Sequence, residues 1–299
     1  MSFEPEPLAR AYAACAALAR AHYENFPVAS RLLPGSMRPH VAAVYAFARV
    51  ADDIADEGVE TAPVRQERLR AWGGRLHDAV ERRALPRHST PSRDDLIVTA
   101  LAHSIAALEL PLSPFDDLLS AFAQDITTDR YASWDEVFDY CRRSANPIGR
   151  LVLRIAGYAS PSLDRLSDAL CTALQLTNFW QDFGRDWRAG RLYVPRALVE
   201  ACGAAEADLT GAPLTPAWAR VLSECSAVTR ASYDEGRAIC DRVRGRLRFE
   251  LRLTWLGGRR VLDRVERERF TLLERRPTLA GADLPALLWR AARWAPAAA

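Results

Sequence analysis

The sequence predicts an all-α protein built as one domain, and three observations lead to that prediction. Apolar residues recur at helical spacing along nearly the whole chain. Alternating polar and apolar runs bounded by turn residues, which would predict β-strands, are hard to find. The 299 residues are 49% hydrophobic and 26% charged, as in ordinary globular proteins. Because no break between helices is long enough to be an interdomain linker, we expect a single domain over residues 1–299.

Proline and glycine residues divide the helical pattern into segments, because they stop helices or cannot continue them. The breaks fall at Pro27, Pro34–Gly35, Gly58, Pro86–Pro91, Pro111–Pro114, Gly190 and Gly203–Pro216. The predicted helices span residues 8–22, 39–56, 63–83, 93–109, 114–126, 134–145, 148–157, 162–187, 214–247, 248–275 and 283–294.

Composition excludes several classes of function. The 40 Lys+Arg residues nearly balance 38 Asp+Glu, and a net charge of +2 argues against nucleic acid as a partner. Every basic residue is an arginine, which excludes lysine Schiff-base chemistry. The six cysteines show no paired spacing and no secretory signal precedes them, so we expect buried thiols in a reducing cytoplasm. No apolar run approaches the roughly 18–20 residues that span a bilayer, so any membrane contact is expected to be peripheral.

The first informative segment closes the helix predicted to end at residue 56. Asp52, Asp53, Asp56 and Glu57 stand in or just past its last turn. The helix dipole disfavours acids there by roughly 0.3–1 kcal/mol for each exposed carboxylate, so we expect a cation nearby. Asp52 and Asp56 are separated by about 40° around the helix, and both carboxylates can therefore face one point.

A second cluster closes the helix predicted over residues 162–187. Asn178, Asp182 and Asp186 follow one another at intervals of four, within about 80° of arc on a continuous helix. Oxygen ligands with no nearby His or Cys favour Mg²⁺ over zinc or iron. Because Mg²⁺ usually binds through one or two carboxylates plus substrate phosphates, two such stripes among apolar residues predict a pocket for a diphosphate with a hydrocarbon tail.

The alternative is that these are ordinary surface acids, and the chain contains acid pairs of that kind. Asp94–Asp95 and Asp116–Asp117 follow Ser92 and Pro114 at predicted helix starts. Carboxylates there complement the dipole and cap amide groups, so we assign these pairs a structural role.

Both clusters resemble the two aspartate-rich signatures of the squalene/phytoene synthase family. The first runs from Val41 to Asp56, and the second runs from Leu174 to Asp186 and continues through Gly190-Arg191-Leu-Tyr193-Val-Pro195. The similarity covers roughly residues 20–268 and includes Asp139-Tyr140-Cys141. The resemblance implies the trans-isoprenyl diphosphate synthase (terpenoid synthase) fold, an all-α bundle with a central cavity, and a Mg²⁺-dependent reaction on an isoprenoid diphosphate.

Within the family, the segment from Tyr23 to Pro34 most resembles the branch of bacterial hopanoid pathways. Asn146–Pro147, Trp180 and Gln181 depart from the common pattern in the same direction. This branch implies loss of diphosphate from presqualene diphosphate, rearrangement of the cation and capture by water to give hydroxysqualene, without NADPH. The alternative is a condensing relative that makes presqualene diphosphate or squalene from farnesyl diphosphate, or that makes phytoene or dehydrosqualene.

The resemblance also implies residue roles. The implied metal ligands are Asp52, Asp53, Asp56, Asn178, Asp182 and Asp186. The implied catalytic residues are Asp52, Asp56, Tyr140, Asp182 and Asp186. The implied substrate-binding residues are His22, Asn25, Phe26, Arg49, Asn178, Gln181 and Arg191. Two assignments have structural alternatives, because Arg49 is spaced for an intrahelical ion pair with Asp52 or Asp53 and Tyr140 suits an aromatic core.

Other partners and two other classes of protein complete the hypotheses. Isoprenoid tails imply peripheral contact with the inner face of the membrane, and the resemblance adds other hopanoid-pathway enzymes as partners. The His77–Asp78 pair raises a helical metal-dependent phosphohydrolase, which would need further histidine ligands. A helical scaffold without turnover is the non-enzymatic alternative.

Overall fold

The protein is described here by a computed structural model that covers residues 5–21, 32–56, 59–82, 91–211 and 213–295. The regular secondary structure in these parts of the chain is helical, and their only β-type pairing is an isolated parallel bridge between Arg130 and Leu192. The all-α prediction is therefore confirmed. The chain forms two compact units, the first from residues 1–127 and 147–159 and the second from residues 128–146 and 160–299. The expectation of a single domain stays a prediction.

In the residues that the structure describes, the first unit contains five helices and nearly all of a sixth. They are α1 (Pro5–Ala21), α2 (Arg38–Asp56), α3 (Ala62–Arg82), α4 (Arg93–Leu108), α5 (Ser113–Asp125) and α7 (Asn146–Ile155), which begins one residue earlier in the chain than this unit resumes. Helices α1, α2 and α4 pack against one another, and α3 packs on α2, α4 and α5.

Aromatic side chains join α2, α3 and α5 in the core of this unit. Phe47 stacks on Trp72 with ring centroids 5.2 Å apart and meets Phe115 edge to face at 5.7 Å. The Trp72 indole N–H donates to the Phe47 carbonyl at 3.2 Å, so this buried polar group is satisfied. The packing fixes the face of α2 that turns inward and leaves the acidic residues at its end on the other side.

The second unit is built around one long helix. Its helices are α6 (Trp134–Ser144), α8 (Pro161–Gln181), α9 (Phe183–Arg188), α10 (Arg196–Ala201), α11 (Pro216–Gly236), α12 (Ile239–Arg242), α13 (Gly245–Arg267) and α14 (Leu284–Ala292). Helix α8 packs against α11, α13 and α6. At Gly236 of α11, a Cβ atom would lie 2.6 Å from the Leu170 backbone nitrogen, so only glycine allows α11 and α8 to approach this closely.

Buried polar side chains bond α8 to α11. The Trp180 indole N–H donates to the Thr229 hydroxyl at 2.8 Å, and Thr177 shares a hydrogen bond of 3.0 Å with Tyr233. Burial raises the pKa of Tyr233, which keeps that hydroxyl protonated. The first half of the second aspartate-rich segment therefore lies on a rigidly packed helix.

The predicted helix over residues 162–187 is wrong in one respect. The structure contains two helices there, α8 and α9, with a break at Asp182, whose φ and ψ are −93° and 9°. The reason is tertiary, since Gly184, two residues later, packs directly against the backbone of Leu272 and Leu273. A straight continuation of α8 was the simplest expectation from periodicity, which carries no information about that contact.

The helices predicted over residues 214–247 and 248–275 also have different bounds. The first divides into α11 and α12, and the second begins at Gly245, whose φ of 63° is left-handed, and ends at Arg267. Successive tight turns replace the predicted last two turns, with Thr271 N bonded to Glu268 O at 2.8 Å. Helix α10 was not predicted. Among the described residues, no helix is long and apolar enough to cross a bilayer.

Candidate active site

The first acidic cluster lies at the end of α2, on the side opposite the buried face. Arg49 forms ion pairs with both acids one turn ahead, at 3.2 Å to Asp52 and 2.5 Å to Asp53. The intrahelical pairing foreseen for Arg49 is thus present, and it offsets the charge of two carboxylates on that turn. Whether Arg49 also grips a phosphate stays a prediction.

A second guanidinium lies at the end of α2, where the helix dipole disfavours acids and the sequence therefore predicts a cation. Arg65 of α3 donates a hydrogen bond to the carbonyl oxygen of Ala55, in the last turn of α2. A cation at this end of a helix interacts favourably with the dipole and satisfies a carbonyl that lacks an intrahelical partner. Sequence reasoning predicted the cation but did not identify Arg65, because nothing in the spacing links α3 to that carbonyl.

The second cluster spans the α8–α9 junction. Asn178 lies on α8, Asp182 at the break and Asp186 on α9, so the three do not share one continuous helix. Backbone bonds still link them, since Asp182 N bonds to Asn178 O at 2.8 Å and Asp186 N bonds to Asp182 O at 2.9 Å. The interval of four residues survives the break, and it keeps the three residues in successive turns.

Asp182 is held by an arginine that the sequence did not reveal. Arg276 donates to both carboxylate oxygens of Asp182, with its Nη2 atom 3.1 Å from Oδ2. Arg185 lies farther away, with a nitrogen 3.6 Å from Oδ1. A bidentate fork of this kind fixes the plane of the carboxylate as well as its position.

The segment that carries Arg276 is clamped onto the junction at several points. The Gln181 amide donates to the Pro277 carbonyl at 2.6 Å, and Arg188 donates to the Leu273 carbonyl at 2.6 Å. At Gly184, a Cβ atom would lie 2.6 Å from the Leu272 carbonyl oxygen and closer still to that of Leu273. Gln181, a predicted substrate-binding residue, therefore positions residues 272–277 in this structure.

Arg191 follows a sharp turn at the end of α9. Gly190 has a φ of 85°, and the Arg191 backbone N–H bonds to the Asp186 carbonyl at 2.8 Å. The next residue, Leu192, bonds through its N–H to Asp129 O at 2.9 Å. Gly190 ends the helical segment as predicted, and the turn keeps the backbone of Arg191 beside Asp186.

Tyr140 belongs to a cluster of aromatic rings within the second unit. Its ring centroid lies 5.9 Å from those of Tyr131, Phe179 and Tyr193, and the Phe179 and Tyr193 rings stack at 3.8 Å. The ring is buried, so the core-aromatic alternative holds for its packing. Phe179 directly follows Asn178, which places the cluster beside the second acidic segment.

The remaining predicted residues are three that lie outside the described parts of the chain and the acids that were assigned a structural role. His22, Asn25 and Phe26 lie outside the residues that the structure describes. Of the acids assigned a structural role, Asp95 behaves as expected, because it completes a capping box with Ser92. Asp116 bonds to His77 at 2.7 Å. His77 thus pairs with Asp116.

The side chains of the two acidic clusters have the chemistry that Mg²⁺ requires of its ligands. Across the described parts of the chain, no three His, Cys, Asp or Glu side chains converge into a ready-made metal cage. Mg²⁺ rarely uses such a cage, because it keeps several waters and takes one or two carboxylates plus phosphate oxygens. Asp52 and Asp182 fit that requirement, because each is a partly exposed carboxylate that a guanidinium group holds in place.

Comparison with known proteins identifies the class of protein to which this fold and these two acidic segments belong. The family model described as squalene/phytoene synthase matches residues 19–283. The chain belongs to the squalene/phytoene synthase family.

Relatives within the family point to one branch. The chain is 41% identical over 187 residues to a hydroxysqualene synthase of Zymomonas mobilis, covering 62% of this chain and 59% of that protein's length. It is 35% identical over 254 residues to a hydroxysqualene synthase of Rhodopseudomonas palustris, covering 84% and 82%. The crystal structure of squalene synthase HpnC from Alicyclobacillus acidocaldarius superposes with a TM-score of 0.80 at 38% identity, covering 90% of this chain and 97% of that one.

Proposed function

We propose that this protein is a hydroxysqualene synthase that converts presqualene diphosphate and water into hydroxysqualene and diphosphate. The observation that carries the proposal is the 41% and 35% identity to proteins of that name. The aspartate-rich segments, Tyr140 and the turn at Gly190 all lie within the matched range of residues 19–283.

The proposed chemistry begins with loss of the diphosphate. Mg²⁺, when bound, supplies Lewis-acid stabilisation of the charge that develops on the departing diphosphate. Its proposed ligands are Asp52, Asp53 and Asp56 at the end of α2, and Asn178, Asp182 and Asp186 at the α8–α9 junction. The first three acids stand at the end of a helix, α2, whose buried residues are all apolar.

The arginines of the site hold the anionic part of the substrate in this proposal. Arg49 and Arg191 bind phosphate oxygens, for which planar guanidinium forks are well suited. Arg276 holds Asp182 in the orientation that the reaction requires. His22, Asn25 and Phe26 stay proposed substrate contacts, as does Gln181 through its position beside Arg276.

Carbocation chemistry needs surroundings that exclude stray water. After the C–O bond breaks, the cyclopropylcarbinyl cation rearranges, and one water oxygen forms the new C–O bond and loses its proton. Aromatic rings stabilise positive charge electrostatically, and the proposed rings for this role are the stacked pair Phe179 and Tyr193 beside Asn178. Tyr140, with its ring in the same cluster, is the proposed tyrosine near the departing diphosphate.

A product assay tests the proposal. Purified protein is incubated with presqualene diphosphate and Mg²⁺ without a nicotinamide, and we expect hydroxysqualene together with released diphosphate. Addition of a chelator should stop the reaction. Unreacted substrate under these conditions, or squalene formed only with NADPH, would contradict the proposal.

The same assay with other substrates tests the condensing alternatives. Farnesyl diphosphate alone would yield presqualene diphosphate, squalene or dehydrosqualene with a condensing enzyme, and geranylgeranyl diphosphate would yield phytoene. We expect no product from either.

We also propose that the protein works in the cytoplasm in peripheral contact with the inner face of the membrane, where the enzymes that supply and consume its hydrophobic substrate and product would be its partners.

A further inference from the structure

Helix α14 carries an apolar surface that its own unit leaves uncovered. Leu284, Leu288 and Trp289 are 54%, 38% and 62% exposed, whereas Leu287 and Ala291 of the same helix are buried. At 100° per residue, the exposed side chains fall within one arc of about 140° that also includes the exposed Pro285 and Ala292. The helix therefore has one apolar stripe packed inward and a second, contiguous stripe facing outward.

Within the chain segment that carries this outward stripe, the exposed charge has one sign. Between residues 279 and 295 the only acid is Asp283, which is buried and accepts hydrogen bonds from Arg264 at 2.8 and 2.9 Å. The charged side chains exposed in that stretch are Arg290 and Arg293. Arg293 lies over the Trp289 ring, 5.7 Å from its centroid, so cation and aromatic ring occupy the same edge of the stripe.

Further arginines lie beside the C-terminal end of α14. The Trp294 indole N–H donates to Asp241 at 3.0 Å, and Arg237 lies 4.6 Å above the Trp294 ring. These contacts hold the end of α14 against α12 and against the C-cap of α11. Three arginines at the end of α12 and the start of α13 are exposed, namely Arg242, Arg244 and Arg246.

This combination identifies the kind of surface that α14 fits. We propose that α14 docks on an anionic lipid bilayer, with Leu284, Leu288 and Trp289 at the headgroup–acyl boundary and Arg290 and Arg293 against lipid phosphates. Tryptophan and arginine along one edge of an exposed apolar stripe are typical of helices that lie in the membrane interface. This inference rests on the proposed peripheral contact with the membrane, for which it names the surface, and it is independent of the proposed reaction.

A second copy of the chain fits this surface less well. The exposed parts of the three large side chains amount to on the order of 300 Å². A stable dimer buries about 800 Å² on each partner. Two copies meeting here would also bring Arg290 and Arg293 of both chains together, whereas an anionic bilayer complements them.

Vesicle binding by the full chain, without substrate, tests the proposal. Sedimentation with vesicles of phosphatidylglycerol and phosphatidylcholine should show binding that weakens in 0.5 M salt. We expect the Leu288→Ser/Trp289→Ser variant to lose about tenfold or more in partition coefficient. The Arg290→Gln/Arg293→Gln variant should lose roughly fivefold for each arginine on anionic vesicles and little on pure phosphatidylcholine.

A matched control removes one aliphatic and one aromatic side chain from other exposed places. Val64 and Phe270 are 46% and 38% exposed, and the Val64→Ser/Phe270→Ser variant should bind vesicles as the unaltered protein does. Circular dichroism establishes that each variant is folded. Brominated lipids should quench tryptophan fluorescence of the unaltered protein, and Trp289→Phe should remove that quenching while retaining vesicle binding.

Several results would overturn the proposal. These are an unaltered protein that binds no vesicles, an α14 variant that binds as well as its control, or brominated-lipid quenching that persists in Trp289→Phe. A dimer in sedimentation velocity that the Leu288→Ser/Trp289→Ser variant converts to monomer would assign the surface to a second copy instead.

Discussion

Asp182 shows how much a single side chain in this protein depends on residues far away in sequence. Its carboxylate receives both arms of Arg276, which is 94 residues later in the chain. Charge-assisted bonds of this kind contribute about 1.5–3 kcal/mol each when well formed. The orientation of a proposed metal ligand is therefore set by a segment outside its own motif.

Removal of the Asp182 charge is the most direct test of the site. We expect Asp182→Asn to lower kcat/KM for presqualene diphosphate by about 100-fold or more, because a proposed metal ligand becomes neutral. The matched control is Asp135→Asn, an exposed acid in the first turn of α6. Equal activity in the two variants would remove Asp182 from the site.

The Arg276 fork can be tested against its own neighbour. Arg276→Gln should lower kcat/KM by roughly 10- to 100-fold, the loss expected for one charge-assisted fork. Arg275→Gln changes the adjacent, exposed arginine and should leave activity unchanged. If both variants behave like the unaltered protein, the contact with Asp182 has no bearing on turnover.

Between elements, the α8–α9 junction depends on one glycine. Gly184→Ala places a Cβ against two backbone carbonyls that cannot move independently, and we expect a loss of about 1–3 kcal/mol in the free energy of unfolding. Gly74→Ala is the matched control, because Gly74 lies within α3, is exposed and has nothing within 4 Å of the new Cβ. That control should raise stability by roughly 0.5–1 kcal/mol. Urea denaturation measures both, and a tolerated Gly184→Ala would contradict the close packing of residues 272–273 on the junction.

A polar network joins α1, α2 and α4. The Tyr12 hydroxyl lies 2.8 Å from His103 Nδ1, 3.2 Å from His40 Nδ1 and 2.9 Å from the Ser104 hydroxyl, which itself donates to the Ala100 carbonyl. Burial lowers the pKa of both histidines from the usual value of 6.5, and His103 lowers that of His40 further. The network is therefore built for two neutral imidazoles.

This network predicts the pH dependence of stability. Because the histidines bind protons less readily in the folded chain than in the unfolded one, their contribution is present above pH 6.5 and is lost as pH falls below it. We expect the free energy of unfolding to decline between pH 7.5 and 5.5, and the His40→Gln/His103→Gln variant to show a shallower decline. Tyr12→Phe should cost about 0.5–1.5 kcal/mol at pH 7.5, because it removes the hydroxyl that bonds to both imidazoles and to Ser104. An unchanged slope in the double variant would show that other groups control it.

On the scale of the whole molecule, the cysteines bear on the environment that the protein suits. None of the six is in a disulfide, and five are buried. Burial raises the pKa of Cys15 and Cys240 to about 12 and also raises that of Cys141 and Cys225. Thiols held in the protonated form and away from solvent react slowly.

Thiol titration tests this description. Under native conditions we expect Ellman's reagent to modify one thiol rapidly, that of the partly exposed Cys202, and all six after denaturation. Cys202→Ser should abolish the fast phase and leave thermal stability unchanged. Rapid modification of several thiols in the native protein would mean that the packing around them opens readily.

The sequence by itself determined the all-α class, most helix bounds, the two acidic segments and the resemblance to a family. These are local properties, because periodicity, helix-stopping residues and motif spacing are written in consecutive residues. Only the tertiary structure decided that α8 breaks at Asp182, that Arg65 is the cation at the end of α2, and that Arg276 grips Asp182. Each of these results from contact between residues distant in the chain, and the free energy of such a contact leaves no pattern along the sequence.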